Sequence, residues 1–284
     1  MTRHTTLTPR IRPCIGSRIV AAALTAALAG TGAAGAVSIT AAAARAQGDA
    51  ARRIDTTFAF GKSGWLDLSA VSGTIVVTGW TRPEAHVVAR IETGLIEATY
   101  SSARIALNTR GDRVRDRRGN RQSEAYFEVS VPIGTRVMAN TTSGDVRVRG
   151  TAAEVQVRVI SGRVEVVDAA DFVEVGSVSG DIRLDRIRAR TRISTTSGDL
   201  ELDGITGDLE IRSTSSDMTI RRVESSNVRI GTTSGDISYE GTIDPKGTYE
   251  ISSHSGRCGS RFRRAWAPRS RCRPTAATSK APSR

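Results

Sequence analysis

Hydrophobic and polar residues alternate in short runs through the second half of the chain, and the runs recur about every 18 residues. Each repeat has two such runs separated by turn-like residues, and this period-2 pattern is typical of strands with one buried face. The apolar positions of the first run are Val146 and Val148, Val164 and Val166, Ile182 and Leu184, Leu200 and Leu202, Met218 and Ile220, and Ile237 and Tyr239. Those of the second run are Val155 and Val157, Val173 and Val175, Ile193, Leu209 and Ile211, Val228 and Ile230, and Tyr249 and Ile251.

A short turn motif, most often Ser-Gly-Asp, precedes the first run of each repeat. Successive motif serines are 18, 18, 18, 18, 19 and 21 residues apart. Glycine permits a positive φ at the turn, and flanking Ser and Asp side chains hydrogen-bond to nearby backbone groups. A fixed period this short indicates a stack of supersecondary units, each resting on its neighbour. The motif serines are Ser143, Ser161, Ser179, Ser197, Ser215, Ser234 and Ser255.

The outward positions carry charges whose sign alternates from one repeat to the next. In parallel register, equivalent residues lie about 4.8 Å apart, so alternation replaces repulsion by pairs worth roughly 0.2–1 kcal/mol each. An antiparallel meander would not place residues 18 apart side by side. The predicted fold is therefore all-β, a parallel β-solenoid with about 18 residues and two short strands per rung. The alternating residues are Arg147, Glu165, Arg183 and Glu201 in the first run, and Gln156, Glu174, Arg192, Glu210, Arg229 and Glu250 in the second.

Small hydroxyl residues occupy the inward position just before the turn. We expect them to form a ladder of hydroxyl groups where the coil narrows. They are Ser177, Thr195, Ser213, Thr232 and Ser253.

Residues 55–140 are less regular than the repeat solenoid predicted for residues 141–256. Strand-like runs occur at residues 66–68, 75–78, 86–91, 104–107 and 125–131, and a charged loop at 110–121 interrupts them. We interpret them as irregular N-terminal coils of the same solenoid that cap its open edge, as repeat folds require.

The first 46 residues are predicted to be a cleavable signal peptide, followed by a linker at 47–54. A basic leader precedes an uncharged, Ala-rich stretch that ends in the small-x-small sequence Ala44-Arg45-Ala46. The stretch is long enough to span a bilayer, so a membrane anchor is the alternative. Its weakly apolar composition favours cleavage, and no stable membrane span is then expected in the mature protein.

The net charge of +12 resides in the two ends of the chain. Residues 1–46 carry +5, residues 257–284 carry +9, and the body between them carries −2. A nucleic-acid-binding protein needs a basic surface on its folded body, so no nucleic-acid partner is predicted. The Arg-, Pro- and Ser-rich tail at 257–284 is interpreted as disordered or as the product of a shifted reading frame. It contains Cys258 and Cys272, for which a disulfide bridge is an open alternative.

The chain has a run from Ser72 to Trp80 followed by Glu84, a run from Phe127 to Pro132, and Ser-Gly-Asp turns after it. These three segments resemble the bacterial putative-adhesin family, a domain of unknown function found in exported and envelope proteins. The resemblance covers roughly residues 55–256 and implies an exported β-solenoid without established catalytic residues. Arg163 stands where the motif has Asp, and Ser216 stands where it has Gly.

The aspartates of the turn motif are the main candidate site. Asp145, Asp181, Asp199, Asp217 and Asp236 form one column, and its last four members are consecutive. Calcium could bridge Asp181, Asp199, Asp217 and Asp236, since it takes six to eight oxygen ligands. Turn capping explains the same residues without a metal, and the glycine-rich calcium-binding repeat is absent from the sequence. The prediction is therefore no metal and no cofactor.

Other candidate chemistry is sparse. Arg110-Gly111-Asp112 matches a cell-attachment tripeptide that arises readily by chance, and Trp65 and Trp80 could stack on sugars or pack in the cap. Only His86 and His254 remain after signal removal, and nothing suggests a nucleophile beside an oriented base.

We therefore predict a non-enzymatic exported protein, located in the periplasm, in the cell envelope or outside the cell. It would act as an envelope scaffold or adhesin-like binding module for an unknown envelope or extracellular polymer or protein. The alternatives are a carbohydrate-active enzyme on the same fold and a component of an envelope-stress sensor.

Overall fold

The computed structural model describes residues 49–110 and 124–263, which form sixteen strands. The predicted signal peptide, most of the loop at 110–121 and residues 264–284 lie outside the described residues. Within the described ranges, no helix is long and apolar enough to cross a membrane. The strands are β1 (Asp49–Ala51), β2 (Arg53–Ala59), β3 (Trp65–Trp80), β4 (Glu84–Ile91), β5 (Leu95–Tyr100), β6 (Arg104–Arg110), β7 (Ala125–Pro132), β8 (Arg136–Thr151), β9 (Val155–Ser161), β10 (Val164–Ser179), β11 (Ile182–Ser197), β12 (Leu200–Thr206), β13 (Leu209–Ser215), β14 (Met218–Ser234), β15 (Ile237–Ser255) and β16 (Cys258–Arg263).

The predicted parallel β-solenoid is confirmed. Strands β8 to β16 pair in parallel, and residues one repeat apart lie side by side. Val146 pairs with Val164, Val164 with Ile182, and Ile182 with Leu200. The apolar columns therefore stack into a continuous core, and all of their members are buried except Tyr249 and Ile251, which are partly buried.

Each rung turns at two corners, and the first is the Ser-Gly-Asp turn. Gly180 has a φ of 146°, and a Cβ added there would lie 1.9 Å from the carbonyl oxygen of Gly162. The glycine column is thus required by close backbone stacking as well as by φ. Ser216 fits the column because its φ is not positive and its buried hydroxyl lies 2.6 Å from the Ser213 hydroxyl.

The second corner also uses the left-handed region, but largely with residues other than glycine. The sequence pattern did not predict this feature. The residues and their φ values are Gly150 (70°), Asp168 (54°), Arg186 (53°), Gly204 (68°) and Arg222 (52°). Three residues after Asp168 and Gly204, Asp171 (109°) and Gly207 (114°) also have positive φ.

The first rung of the solenoid lies much earlier in the chain than the regular repeat. In β3, Ser72 and Gly73 pair with Ser143 and Gly144 of β8, so the segment from β4 to β7 is an insertion between two adjacent rungs. Within it, β6 and β7 pair in parallel with β3, and β5 and β4 pair antiparallel with β6 and β7. β1 and β2, which precede β3 in the chain, pair antiparallel with β5 and β4. The five predicted strand-like runs are present, and β1, β2 and β5 were not predicted.

Two predicted boundaries differ from the strands observed. β1 and the start of β2 occupy residues 49–54 of the predicted linker, because β2 alternates and pairs with β4. β16 occupies the first part of the predicted tail, because residues 258–263 pair with residues 237–242 of β15. Cys258 is half-buried in β16, and Cys272 lies outside the described residues.

Candidate binding face

The alternating charges form ladders on both outer faces of the solenoid, as predicted. We call the surface formed by residues 164–167, 182–185 and 200–203 the charged face. On it, Arg183 pairs in register with Glu201, and their side chains are 3.1 Å apart. On the opposite face, Arg192 pairs with Glu210 on the same two rungs, also at 3.1 Å. Parallel stacking therefore converts alternation in the sequence into cross-rung ion pairs.

A groove of about 820 Å³ runs along the charged face. A second recess of about 460 Å³ continues it, since the two share Arg183, Asp185, Arg186 and Glu201. Six carboxylates and four guanidinium groups line the larger groove, so its charge is mixed with an acidic excess. An open surface of this composition can engage an extended ligand through several charge-assisted hydrogen bonds.

The far side of the groove is formed by the left-handed corner. Arg186 donates two hydrogen bonds to Asp168, at 2.7 and 2.8 Å, and another to Asp185 at 2.6 Å. The hydrogen bond from Arg186 holds the pKa of Asp168 below its ordinary value, and the same bond raises the pKa of Arg186. One rung pair further on, Arg222 makes a bidentate contact with Asp203, which is in register with Asp185. These bidentate pairs fix the orientation of the corner side chains.

Two of the turn aspartates, Asp181 and Asp199, line the groove, and three others cap turns of the solenoid. Asp145 accepts the backbone N–H of Arg163 at 3.2 Å, and Asp217 accepts that of Asp236 at 2.8 Å. Asp236 in turn accepts the N–H of Arg257 at 2.7 Å. For these aspartates, turn capping is therefore directed across rungs, from each carboxylate to the backbone of the next repeat.

Arg163 interrupts the aspartate column where a carboxylate was expected. Its guanidinium lies 3.7 Å from the Asp181 carboxylate. The positive charge therefore reduces the repulsion between neighbouring carboxylates of the aspartate column. Of the four calcium candidates, Asp217 and Asp236 cap turns, whereas Asp199 lines the groove beside Asp181. In the part of the chain that the structure describes, no group of three or more His, Cys, Asp or Glu residues is placed to hold a metal ion.

The inward hydroxyl residues stack in one column from Ser177 to Ser253. Thr195 donates to the carbonyl of Ser197 at 3.1 Å, and Thr232 donates to that of Ser234 at 2.8 Å. The hydroxyl groups of Thr195, Thr232 and Ser253 thus satisfy carbonyl groups of the turn.

The remaining candidate residues are dispersed. His86 lies in β4, 3.3 Å from Asp55, whereas His254 lies in β15 at the other end of the solenoid. The Trp65 side chain is partly exposed under the Arg136 guanidinium, and the Trp80 indole N–H donates to the Glu84 carbonyl at 2.7 Å. Arg110 ends β6 and pairs with Glu97, which raises the pKa of Arg110, while the other two residues of its tripeptide lie outside the described residues.

Sequence comparison places this solenoid in a family. The profile of the Toastrack DUF4097 family matches residues 110–277, which is more than half of the chain. The chain belongs to the Toastrack DUF4097 family. The match confirms the resemblance drawn from the Phe127–Pro132 segment and the Ser-Gly-Asp turns, and it extends past the last regular rung. No curated protein matches the Toastrack chain.

Two solved structures match this Toastrack protein at low identity. A putative adhesin from Bacteroides fragilis NCTC 9343 is 15% identical, with a TM-score of 0.43 and coverage of 74% of this chain and 96% of its own. A putative cell adhesion protein from Clostridium sporogenes ATCC 15579 is 11% identical, with a TM-score of 0.38 and coverage of 74% and 100%. Likenesses this distant carry no argument about activity.

Proposed function

We propose that this Toastrack protein is a non-enzymatic, exported binding module or scaffold of the cell envelope, with an adhesin-like role. The observation that carries the proposal is the charged face, an array of ion-paired side chains that repeats at the spacing of the rungs and borders the groove. Its ligand would be an extended envelope or extracellular polymer, or a protein that presents alternating charges. An array of equivalent contacts suits a repetitive partner, because each added rung contributes a similar interaction.

The arrangement of side chains supports binding over catalysis. Five of the six groove carboxylates lie in ion pairs with guanidinium groups, among them Asp168 with Arg186 and Glu201 with Arg183. A hydrolytic site would need a nucleophile or water-activating base beside an oriented acid. The Ala-rich leader at residues 1–46 supports export to the periplasm, the envelope or the exterior.

Incubating the purified protein with envelope and extracellular polysaccharides tests the proposal. We expect retention of at least one polymer on the immobilised protein, with no change in polymer chain length. Shortening of a polymer would establish the carbohydrate-active enzyme instead. Fractionation of cells tests export, and recovery of the protein in the cytoplasm with residues 1–46 still attached would contradict it.

A further inference from the structure

Two arginine side chains frame the recess of about 460 Å³ that continues the groove of the charged face. Arg186 and Arg222 occupy equivalent positions at the second corner, two rungs apart, and Gly204 holds that position on the rung between them. Residues two rungs apart in one column are separated by about 9.6 Å, twice the distance between neighbouring strands. Because Gly204 has no side chain, the recess has a backbone floor between two charged walls.

Both guanidinium groups are held in a fixed orientation. Arg186 donates through Nε and Nη2 to Asp168, and Arg222 donates through the same atoms to Asp203. Each aspartate lies on the rung that precedes its arginine, so the two guanidinium groups lean the same way and stay two rungs apart. A guanidinium has five N–H donors, and the contacts within the described residues use three on Arg186 and two on Arg222. The other donors are preoriented for an anionic group of a ligand, and both side chains are more than half exposed.

The rung between the two arginines is acidic. Residues 197–214 contain five carboxylates and one arginine, whereas residues 179–196 contain five arginines and two carboxylates. Glu201 and Asp203 of the acidic rung line the recess together with Thr206. These carboxylates would repel an anionic group placed over Gly204, but they can accept hydrogen bonds from hydroxyl groups. The recess therefore favours a ligand in which two anionic groups flank an uncharged unit that carries hydroxyl groups.

Among extended polymers, a polysaccharide matches this spacing. Successive sugars of an extended chain alternate in orientation, and a repeat of two sugars is close in length to two rungs. An extended peptide instead returns to the same face about every 6.8 Å, so its acidic side chains would fall out of step with the arginines. A polysaccharide in which an acidic sugar alternates with an uncharged one places one carboxylate beside each arginine.

We propose that the recess binds an acidic polysaccharide with one carboxylate per disaccharide, with successive carboxylates on Arg186 and Arg222 and the uncharged sugar over Gly204. The assignment rests on the proposed function, since it names the chemistry of the polymer that the charged face retains. Arg149 lines the groove two rungs before Arg186. An oligosaccharide long enough to reach Arg149 as well gains a third contact and binds more tightly.

Titration calorimetry of the purified protein with oligosaccharides of equal length tests the spacing. Hyaluronan oligosaccharides carry one carboxylate per disaccharide, mannuronate oligosaccharides carry one on every sugar, and carboxyl-reduced hyaluronan oligosaccharides carry none. We expect the hyaluronan oligosaccharides to bind at least about tenfold more tightly than either of the other two. Equal or tighter binding of mannuronate overturns the spacing, and equal binding of the carboxyl-reduced form overturns recognition of the carboxylates.

Two double variants test the assignment of the arginines. R186Q/R222Q removes both guanidinium groups of the recess and should abolish the preference for hyaluronan over its carboxyl-reduced form. R192Q/R229Q is the matched control, because Arg192 and Arg229 are two rungs apart in one column of the opposite face, with Glu210 instead of glycine between them. The control should keep the preference. The same loss in both variants overturns the recess as the site.

Retention of other polymers separates this assignment from the proposed function. A protein that retains an envelope polysaccharide but shows no preference among the three oligosaccharides is still a binding module, and the ligand class assigned to its recess is overturned. A protein that retains no polymer of any kind contradicts both.

Discussion

At the scale of single residues, the turn glycines are constrained both by a positive φ and by the close approach of the neighbouring rung's backbone. We expect Gly180→Ala to lower the free energy of unfolding by roughly 1–3 kcal/mol through the positive φ. The clash with the Gly162 carbonyl would add to this cost. Gly176→Ala is the control on the preceding rung, since its φ is not positive and the nearest atom to an added Cβ is 3.8 Å away. Denaturant unfolding measures the stability of both variants, and equal midpoints for Gly180→Ala and Gly176→Ala would contradict the requirement for glycine at position 180.

The pKa of Asp168 should respond to its partner at the left-handed corner. Its carboxylate is stabilised by Arg186, so it should titrate below its ordinary value of 3.8 when followed by NMR. Because the pKa is lowered on folding, the stabilisation is present above about pH 4 and is lost as the pH falls through the folded-state pKa. Arg186→Gln should return the titration toward 3.8, and an unchanged midpoint in that variant would contradict the assignment.

Residue chemistry in the sequence predicts the first corner but not the second. Glycine and flanking Ser and Asp identify the Ser-Gly-Asp turn, since glycine is the usual residue at a positive φ. At the second corner, Asp168, Arg186 and Arg222 adopt a positive φ and make ion pairs across the rungs. Nothing in a single residue type marks such a position, so the groove that this corner borders could not be located from the sequence.

At the scale of strands, the charges that alternate from rung to rung favour the parallel register, because they place opposite charges side by side. Glu210→Arg would stack three arginines, at positions 192, 210 and 229, along one face. We expect a loss of about 0.5–1 kcal/mol in the free energy of unfolding at low salt, falling as salt is added. Thr219→Arg is the control, because Thr219 lies between Glu201 and Ser238 and gains a favourable neighbour. Destabilisation by both substitutions alike would contradict the electrostatic explanation.

The aspartate edge makes a separate prediction about metal dependence. Asp217 and Asp236 already accept backbone N–H groups of the following rung. We therefore expect the same melting temperature in excess calcium and in chelator. A higher melting temperature in calcium, lost in Asp199→Asn, would establish the metal site instead.

At the scale of the whole molecule, periodicity predicts the regular solenoid but not the way it starts. The rung that contains Ser72 is separated from its spatial neighbour at Ser143 by the inserted strands β4 to β7. Pairing between residues so distant in sequence leaves no periodic signal. The antiparallel strands β2, β4 and β5 have the same alternating pattern as solenoid strands, so the sequence could not distinguish them from further coils of the solenoid. The charges of the binding face were predicted individually, whereas their assembly into one groove required the structure.

The most direct measurement compares polymer binding by two matched double variants. R183S/E201S removes an ion pair from the charged face, and R192S/E210S removes the pair with the same separation on the opposite face of the same rungs. Deleting both members of an exposed pair changes stability little. With a polymer that the unmodified protein retains, we predict at least about a tenfold weaker affinity for R183S/E201S and an unchanged affinity for R192S/E210S. Equal affinities for the two variants, or shortening of the polymer, would contradict the charged face as a binding surface.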